Sequence, residues 1–400
     1  MKMCNKHTAE KIMYISFFIF IFLRVFIVSD FQRFDWYTKF NVIGVPAFSY
    51  PGIDSRNIQN AAYCSTKGYS YFSYDKCQDK NIELKKIYPE STGISSYNYP
   101  PLWADIYKLF DNYTEDFYLF FWKFNAIVLI MTILIYSNYY NYKLFPLVAF
   151  SPVALLTVER GNIEAIVFGV IFLPLILSNS KIVHSFFLGL AGALKIYPIV
   201  GFIHYIKDKL NDLKKVLSGS VLITPLIIYS LLYLPEYIKN TPSGTSCAFG
   251  LFSLKNLSCF KNNSILFYSF IFSYIIYCIL LICCIIKNKS IINEVKIDFS
   301  KMKQKSIHQL SIALIMYVIL FLVFTSWAYR FIILIPVTLI LANHKNNLSY
   351  YAYWLILITI WIPIFPYGWY FFNYLCYILT PLLGIILFYA QVENCRRMQN

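Results

Sequence analysis

Charged and polar side chains recur in this sequence at points where long hydrophobic runs end. They fall in five segments, which are Asp54, Tyr99-Pro100-Pro101, Glu159-Arg160-Gly161-Asn162, Lys195 and Trp327-Ala328-Tyr329-Arg330. A carboxylate in such a place can accept a proton from a reacting hydroxyl, and arginine or lysine can bind a phosphate group. Ionisable side chains at a membrane boundary are costly, so these segments are candidates for function.

The hydrophobic runs that separate these segments indicate an integral membrane protein. Of the 400 residues, 58% are hydrophobic and 14% are charged, whereas a soluble domain carries about 25% charged residues. Apolar stretches of about 18 residues, enough to cross a bilayer, recur along the chain. We therefore expect an all-α polytopic membrane protein in which residues 1–400 form one domain, located in the cell (inner or plasma) membrane.

The positions of the charges predict which side of the membrane each loop faces. Residues 30–116 hold eleven of the 20 acidic residues and nine basic ones, and the remaining chain holds 26 basic residues and nine acidic ones. Such asymmetry follows the positive-inside rule, with Lys and Arg on the cytoplasmic side. The net charge of +15 therefore reflects topology, and no basic nucleic-acid motif is present.

The charge pattern predicts about twelve transmembrane helices with both ends in the cytoplasm. A basic N-terminus precedes the first span at 12–28, so loops 29–116 and 235–264 are extracytoplasmic. The other predicted spans are 117–136, 144–157, 163–177, two short helices within 182–206, 216–234, 265–286, 309–325, 331–342, 351–365 and 372–390.

A break in the helix at Lys195 keeps the basic segments that follow it on the cytoplasmic side, as this topology requires. One continuous helix over 182–206 would place the basic segments 207–215 and 287–305 outside. Two short helices that turn at Lys195 place both segments inside, and broken helices are common where membrane proteins bind polar substrates. The same topology puts His184 and His204 near the inner ends of the two helices and His308 on the cytoplasmic side.

Cysteine spacing indicates no metal site. Cys64 with Cys77, and Cys247 with Cys259, fall in the two large outer loops, where two disulfides could form. The sequence also carries no Asp-x-Asp pair, so we expect neither a metal nor a cofactor.

The polar segments, taken in order, resemble a known enzyme family. The chain reads Gly52-Ile53-Asp54, Gly68-Tyr69, Tyr99-Pro100-Pro101-Leu102, Arg160-Gly161-Asn162, Leu194-Lys195-Ile196-Tyr197-Pro198 and Ser326-Trp327. This order resembles the family-87 polyprenol-phosphate-dependent glycosyltransferases of the GT-C superfamily, and is similar to the polyprenol-phosphate mannosyltransferases. It departs from the pattern at Tyr329-Arg330, where members carry histidine.

The resemblance implies an inverting transfer of a hexose or pentose on the extracytoplasmic side. The donor would be a polyprenyl-phosphate sugar and the acceptor a glycan or glycolipid. Asp54 would act as general base, with Asp35 in reserve. Arg330, Lys195 and Arg160 would bind the donor phosphate, and Tyr99, Glu159, Asn162 and Trp327 would contact substrate.

Simpler interpretations and rival functions stay open at this point. Arg160 could instead pair with Glu159 or Glu164, and Arg330 could anchor its helix at the lipid headgroups. A transporter or flippase of lipid-linked sugars would share the spans and the basic residues, although no internal repeat is visible. An O-antigen-type polymerase would also combine many spans with large outer loops.

The predicted topology can be tested with reporter fusions or cysteine labelling. Fusions after Leu210 and Val295 should report the cytoplasm, and fusions after Asp75 and Gly250 should report the outside, because the basic segments remain on the cytoplasmic side. A cytoplasmic signal after Asp75 would contradict the placement of every candidate residue in the first loop.

Overall fold

The computed structural model describes residues 45–46, 52–72, 77, 97, 99–142, 145–206, 210–240, 248–249, 264–323, 326–344, 347–365 and 368–399. The predicted first helix at 12–28, Asp35 and the Cys247–Cys259 pair lie outside these residues. Each statement below concerns this part of the chain.

Helices form almost all of the described chain. The α-helices are α1 (Ile53–Thr66), α2 (Pro101–Lys108), α3 (Glu115–Tyr139), α4 (Pro146–Ala149), α5 (Pro152–Arg160), α6 (Glu164–Leu177), α7 (Lys181–Leu194), α8 (Leu210–Val221), α9 (Thr224–Leu232), α10 (Leu234–Asn240), α11 (Ser264–Lys287), α12 (Lys289–Lys301), α13 (Gln304–Val323), α14 (Ile335–Ala342), α15 (Asn347–Trp361) and α16 (Gly368–Gln399). Short 3₁₀ helices cover Tyr197–Tyr205, Ala328–Leu334 and Ile362–Ile364. Strands β1 (Ala248–Phe249) and β2 (Ser326–Trp327) pair antiparallel, with Ala248 opposite Trp327.

Five of these helices are each long and apolar enough to cross a membrane. Two further pairs of helices are bent at a short break, and the number of spans rises to seven if each pair counts as one span. The bent pairs are α5 with α6, at 119°, and α8 with α9, at 62°. The latter covers a span predicted as continuous. The chain is thus an all-α protein with the helices of a membrane protein, and the number twelve stays a prediction.

The helices pack around a core tied together by hydrogen bonds to backbone carbonyls. α6 packs between α3 and α7, and α13 packs against α16. The hydroxyl of Tyr136 donates to the carbonyl of Phe172 at 2.9 Å, and the indole of Trp361 donates to the carbonyl of Leu147 at 2.7 Å. Such bonds satisfy polar groups that a bilayer could not hydrate.

α11 packs on this core through Phe270, Ile271 and Tyr274 and keeps an apolar surface on its other side. Its side chains Ile265, Phe272 and Ile279 are 81%, 66% and 55% exposed. An exposed apolar face of this length matches the hydrocarbon thickness of a bilayer. We read this face as lipid-facing.

The break predicted at Lys195 is present. α7 ends at Leu194, Lys195 is extended (φ −158°, ψ 126°), and a 3₁₀ helix follows. That helix folds back along α7, because His204 near its end and His184 near the start of α7 both lie beside His308. The two short elements thus form a hairpin with Lys195 at its tip.

Two further features refine the predicted loops. Cys64 and Cys77 form a disulfide, as their spacing in the first loop allowed. The lysine-rich segment that follows α11 is helical rather than an open loop, since α12 covers Lys289–Lys301 and packs on α15 and α16.

Candidate functional site

Asp54 lies in the first turn of α1, and the backbone before it is fastened to the turn between α5 and α6. Gly52 N–H donates to the carbonyl of Glu159 at 2.8 Å, and the Ser55 hydroxyl donates to the carbonyl of Gly161 at 2.6 Å. Asp54 itself is half-buried. Two segments about a hundred residues apart in sequence therefore hold one carboxylate in place.

The approach of these two segments requires glycine. Gly161 ends α5 with φ 59°, a left-handed conformation that L side chains avoid. A Cβ atom there would lie 2.8 Å from the Cα atom of Gly52 and 2.9 Å from Trp122. The Trp122 indole covers the contact and donates to the carbonyl of Val158 at 2.5 Å.

Both polar atoms of the Asn162 side chain form hydrogen bonds, which join the start of α6 to Asp54 and to Tyr99. Its Oδ1 accepts from the backbone N–H of Glu164 at 3.0 Å, capping the start of α6. Its Nδ2 donates to the Asp54 carboxylate and to the Tyr99 hydroxyl, the latter at 3.0 Å. Because Asn162 is fully buried, the orientation of Asp54 is fixed from inside the bundle.

Tyr99 is buried beside Asp54. Burial raises the pKa of its hydroxyl well above the usual range, and the nearby Asp54 carboxylate adds to the increase. Tyr99 is thus a neutral hydrogen-bonding group at physiological pH. The chain then enters α2 at Pro101, and the indole of Trp103 donates to the carbonyl of Leu194 at 2.8 Å, which fastens α2 to the tip of the Lys195 hairpin.

A buried ion cluster lies next to this group. Glu164 is fully buried, and its Oε1 lies 3.0 Å from Lys195 Nζ and 3.1 Å from Arg330 Nε. Its Oε2 accepts from the Tyr197 hydroxyl at 2.7 Å. One carboxylate therefore faces two cations.

Aromatic rings surround the two cations and connect the cluster to Asp54. Lys195 Nζ lies 4.9 Å from the ring centre of Tyr99 and 5.7 Å from that of Tyr329. The Arg330 guanidinium lies 5.7 Å from the ring centre of Tyr197. Cation–π contacts of this kind stabilise a partly desolvated positive charge. Tyr99 thus contacts both halves of the site.

The structure brings most of the predicted residues together. Asp54, Tyr99, Asn162, Lys195 and Arg330 are joined through shared partners. Arg160 Nε lies 3.5 Å from Glu159 Oε2, which is the structural pairing considered in the sequence analysis. Trp327 lies in β2, where its backbone is opposite Ala248 of β1. Asp35 lies outside the described residues.

The sequence interpretation considered Glu164 only as a partner of Arg160 and missed its pairing with Lys195 and Arg330. Lys195 has no acid near it in sequence, but its partner Glu164 is 31 positions away. The sequence did contain a signal for this pairing. Glu164 is followed by an almost wholly apolar helix, and an acid in such a position needs a partner inside the protein. Tyr197 and the Gly52–Gly161 contact gave no comparable signal, since each depends on tertiary approach.

Within the part of the chain that is described, no group of three His, Cys, Asp or Glu side chains is arranged to hold a metal ion. In comparisons with known proteins, no family model, no curated protein and no solved structure matches this chain. Function is therefore argued from the site itself.

The glycine contact should be required for the site to form. Gly161→Ala should lower the free energy of unfolding by more than the roughly 1–2 kcal/mol of a left-handed alanine, because the new methyl also meets backbone. Gly384→Ala is the matched control, since no atom would lie within 4 Å of its Cβ. Thermal unfolding in detergent measures both, and equal midpoints would contradict the close approach.

Proposed function

We propose that this protein is a membrane glycosyltransferase that moves a hexose or pentose from a polyprenyl-phosphate sugar to an extracytoplasmic glycan or glycolipid, with inversion at the sugar. The acceptor hydroxyl attacks C1 of the sugar, Asp54 takes the hydroxyl proton, and the C1–O bond to the lipid phosphate breaks. The supporting observation is that a half-buried carboxylate and a cationic cluster meet at Tyr99 and Asn162.

The contacts of Asp54 suit a general base. A cation bound to a carboxylate stabilises its ionised form and opposes proton uptake. No Lys or Arg in the described chain pairs with Asp54, whose carboxylate is held by the neutral amide of Asn162. Its partial exposure leaves room for an acceptor hydroxyl, and proton transfer requires such a group within hydrogen-bonding distance.

The cluster at Glu164 suits the leaving phosphate. Charge develops on the phosphate oxygen as the C1–O bond breaks, and preorganised cations stabilise that charge most in a site shielded from water. Lys195 and Arg330 are 1% and 7% exposed, and both lie beside the same Glu164 oxygen, so two cations are held together in a buried position. Arg160, whose Nε faces Glu159, is the weaker candidate for this role.

Replacing the base should abolish most turnover without unfolding the protein. In Asp54→Asn the new amide oxygen can still accept from Asn162, but it cannot take a proton, so turnover should fall about 10²–10⁴-fold. Asp54→Glu moves the carboxylate by one methylene and should retain a small fraction of activity. Purified protein, polyprenyl-phosphate sugars and release of polyprenyl phosphate provide the assay.

Asp116→Asn is the matched control, because Asp116 is an exposed acid at the start of α3. Asp35→Asn tests the reserve base. Normal turnover in Asp54→Asn with none in Asp35→Asn would move the base to Asp35. If neither change affects transfer, the transferase proposal is wrong, and movement of lipid-linked sugars across proteoliposomes becomes the next measurement.

Removing either cation should weaken donor use more than stability. Lys195→Ala leaves Glu164 paired with Arg330 and Tyr197, and Arg330→Ala leaves it paired with Lys195 and Tyr197. Loss of one charged hydrogen bond to phosphate should reduce donor use about 10–100-fold. Arg330→Lys should restore part of it, since lysine lacks the guanidinium fork.

Glu164→Gln separates the role of the cluster in stabilising the fold from its proposed role in binding the donor phosphate. It leaves two buried cations without their carboxylate and should therefore destabilise the fold by about 3–5 kcal/mol. Thermal unfolding and donor titration distinguish these effects. Full activity in both alanine variants would show that the cations serve only to neutralise Glu164.

A further inference from the structure

A cavity lined by polar side chains lies at the other end of the bundle from Asp54. Its volume is about 430 Å³, and it lies where α6 ends and where α7 and α13 begin. Glu164 starts α6 and Lys195 follows α7, and each of these helices has 14 residues. At 1.5 Å per residue the cavity is about 20 Å from the Glu164 cluster, so it belongs to a different site.

The cavity has a basic lining. Lys181, Lys303 and Lys305 line it, and no acidic side chain does so among the residues that the structure describes. Lys181 pairs with Asp212 at 3.0 Å, which also binds Lys215 at 3.1 Å. No carboxylate in the described chain pairs with Lys303 or Lys305, and Lys305 donates to the carbonyl of Ile176. Among the described residues, the lining of the cavity thus carries positive charge that no acidic side chain in that lining balances.

A buried histidine adds an unsatisfied polar atom to this wall. His184 is 7% exposed and lines the cavity. Its Nε2 lies 3.0 Å from the carbonyl of Ser178 and must donate to it, because a carbonyl only accepts. Its Nδ1 has no hydrogen-bond partner among the described residues. In the neutral ring this Nδ1 is an acceptor, so its expected partner is a water molecule or a ligand hydroxyl such as the P–OH of a monoprotonated phosphate.

His308, whose ring centre lies 5.5 Å from that of His184, is held by a directed chain of hydrogen bonds. Gln391 Nε2 donates to His204 Nδ1 at 3.2 Å, so His204 Nε2 donates to His308 Nδ1 at 2.6 Å. His308 Nε2 then donates to the Tyr205 hydroxyl at 2.9 Å. The chain fixes the wall between the 3₁₀ helix and α13 before any ligand binds, which lowers the cost of binding.

We infer that this cavity binds a phosphate-bearing anion, either the phosphate of a lipid headgroup or a free phosphate ion. Lys303 and Lys305 have no acid partner among the described residues and supply the charge, and the first-turn N–H groups of α7 and α13 lie at the same end. The Nδ1 of His184 supplies an acceptor for the P–OH of a monoprotonated phosphate. The predicted topology puts this end at the cytoplasmic surface, where anionic lipids concentrate basic segments. The site is independent of the proposed transferase chemistry.

The test measures ligand binding by the full-length protein in zwitterionic nanodiscs. Three probes are compared, which are phosphatidic acid incorporated into the disc, inorganic phosphate in solution, and phosphatidylcholine alone. Lys303→Ala/Lys305→Ala should weaken binding of the preferred probe at least tenfold, because each charged hydrogen bond to phosphate contributes about tenfold or more. Binding should also weaken with added salt.

The matched control is Lys296→Ala/Lys301→Ala, which removes the same charge from exposed positions on α12. Selective loss for phosphatidic acid identifies a lipid site, and selective loss for inorganic phosphate identifies a soluble-anion site. Absence of binding by both probes, or equal loss in both double variants, overturns the proposal. Lys303 is exposed, so Lys303→Glu provides the same test if the double variant does not fold.

Discussion

The buried carboxylate of Glu164 is the interaction on which the arrangement of the site depends. It binds Lys195 and Tyr197 from the tip of one hairpin and Arg330 from the segment after β2. Removal of an ion from water costs several kcal/mol, and only partners fixed in position can offset that cost. The hairpin and the segment after β2 therefore have to meet at Glu164 for the fold to be stable.

The turn before Glu164 connects this requirement to Asp54. Gly161 lets the chain reverse between α5 and α6 and lets Gly52 approach the turn closely. Asn162 then caps α6 with its oxygen and binds Asp54 with its nitrogen. Residues 161–164 thus form the turn, hold Asp54 and supply the carboxylate that binds the two cations. The Asp54 carboxylate and these cations therefore cannot shift independently.

The same helices carry polar groups at both ends and apolar surface between them. α6 and α7 join the Glu164 cluster at one end to the basic cavity at the other. Between these ends the helices are held mainly by apolar packing and by hydrogen bonds to carbonyls, such as that from Tyr136 to Phe172. This distribution is expected where both ends meet water and the middle meets lipid.

The sequence by itself determined the membrane class and the helical break at Lys195, because composition, charge position and residue spacing are local properties. It also named Asp54, Tyr99, Asn162, Lys195 and Arg330, which the structure brings together. It could not supply the partner of Lys195, the contact between two glycines or the grouping of His184, His204 and His308. These depend on which helices pack together. The packing is decided by apolar burial and by hydrogen bonds between segments far apart in sequence, 166 positions for Glu164 and Arg330.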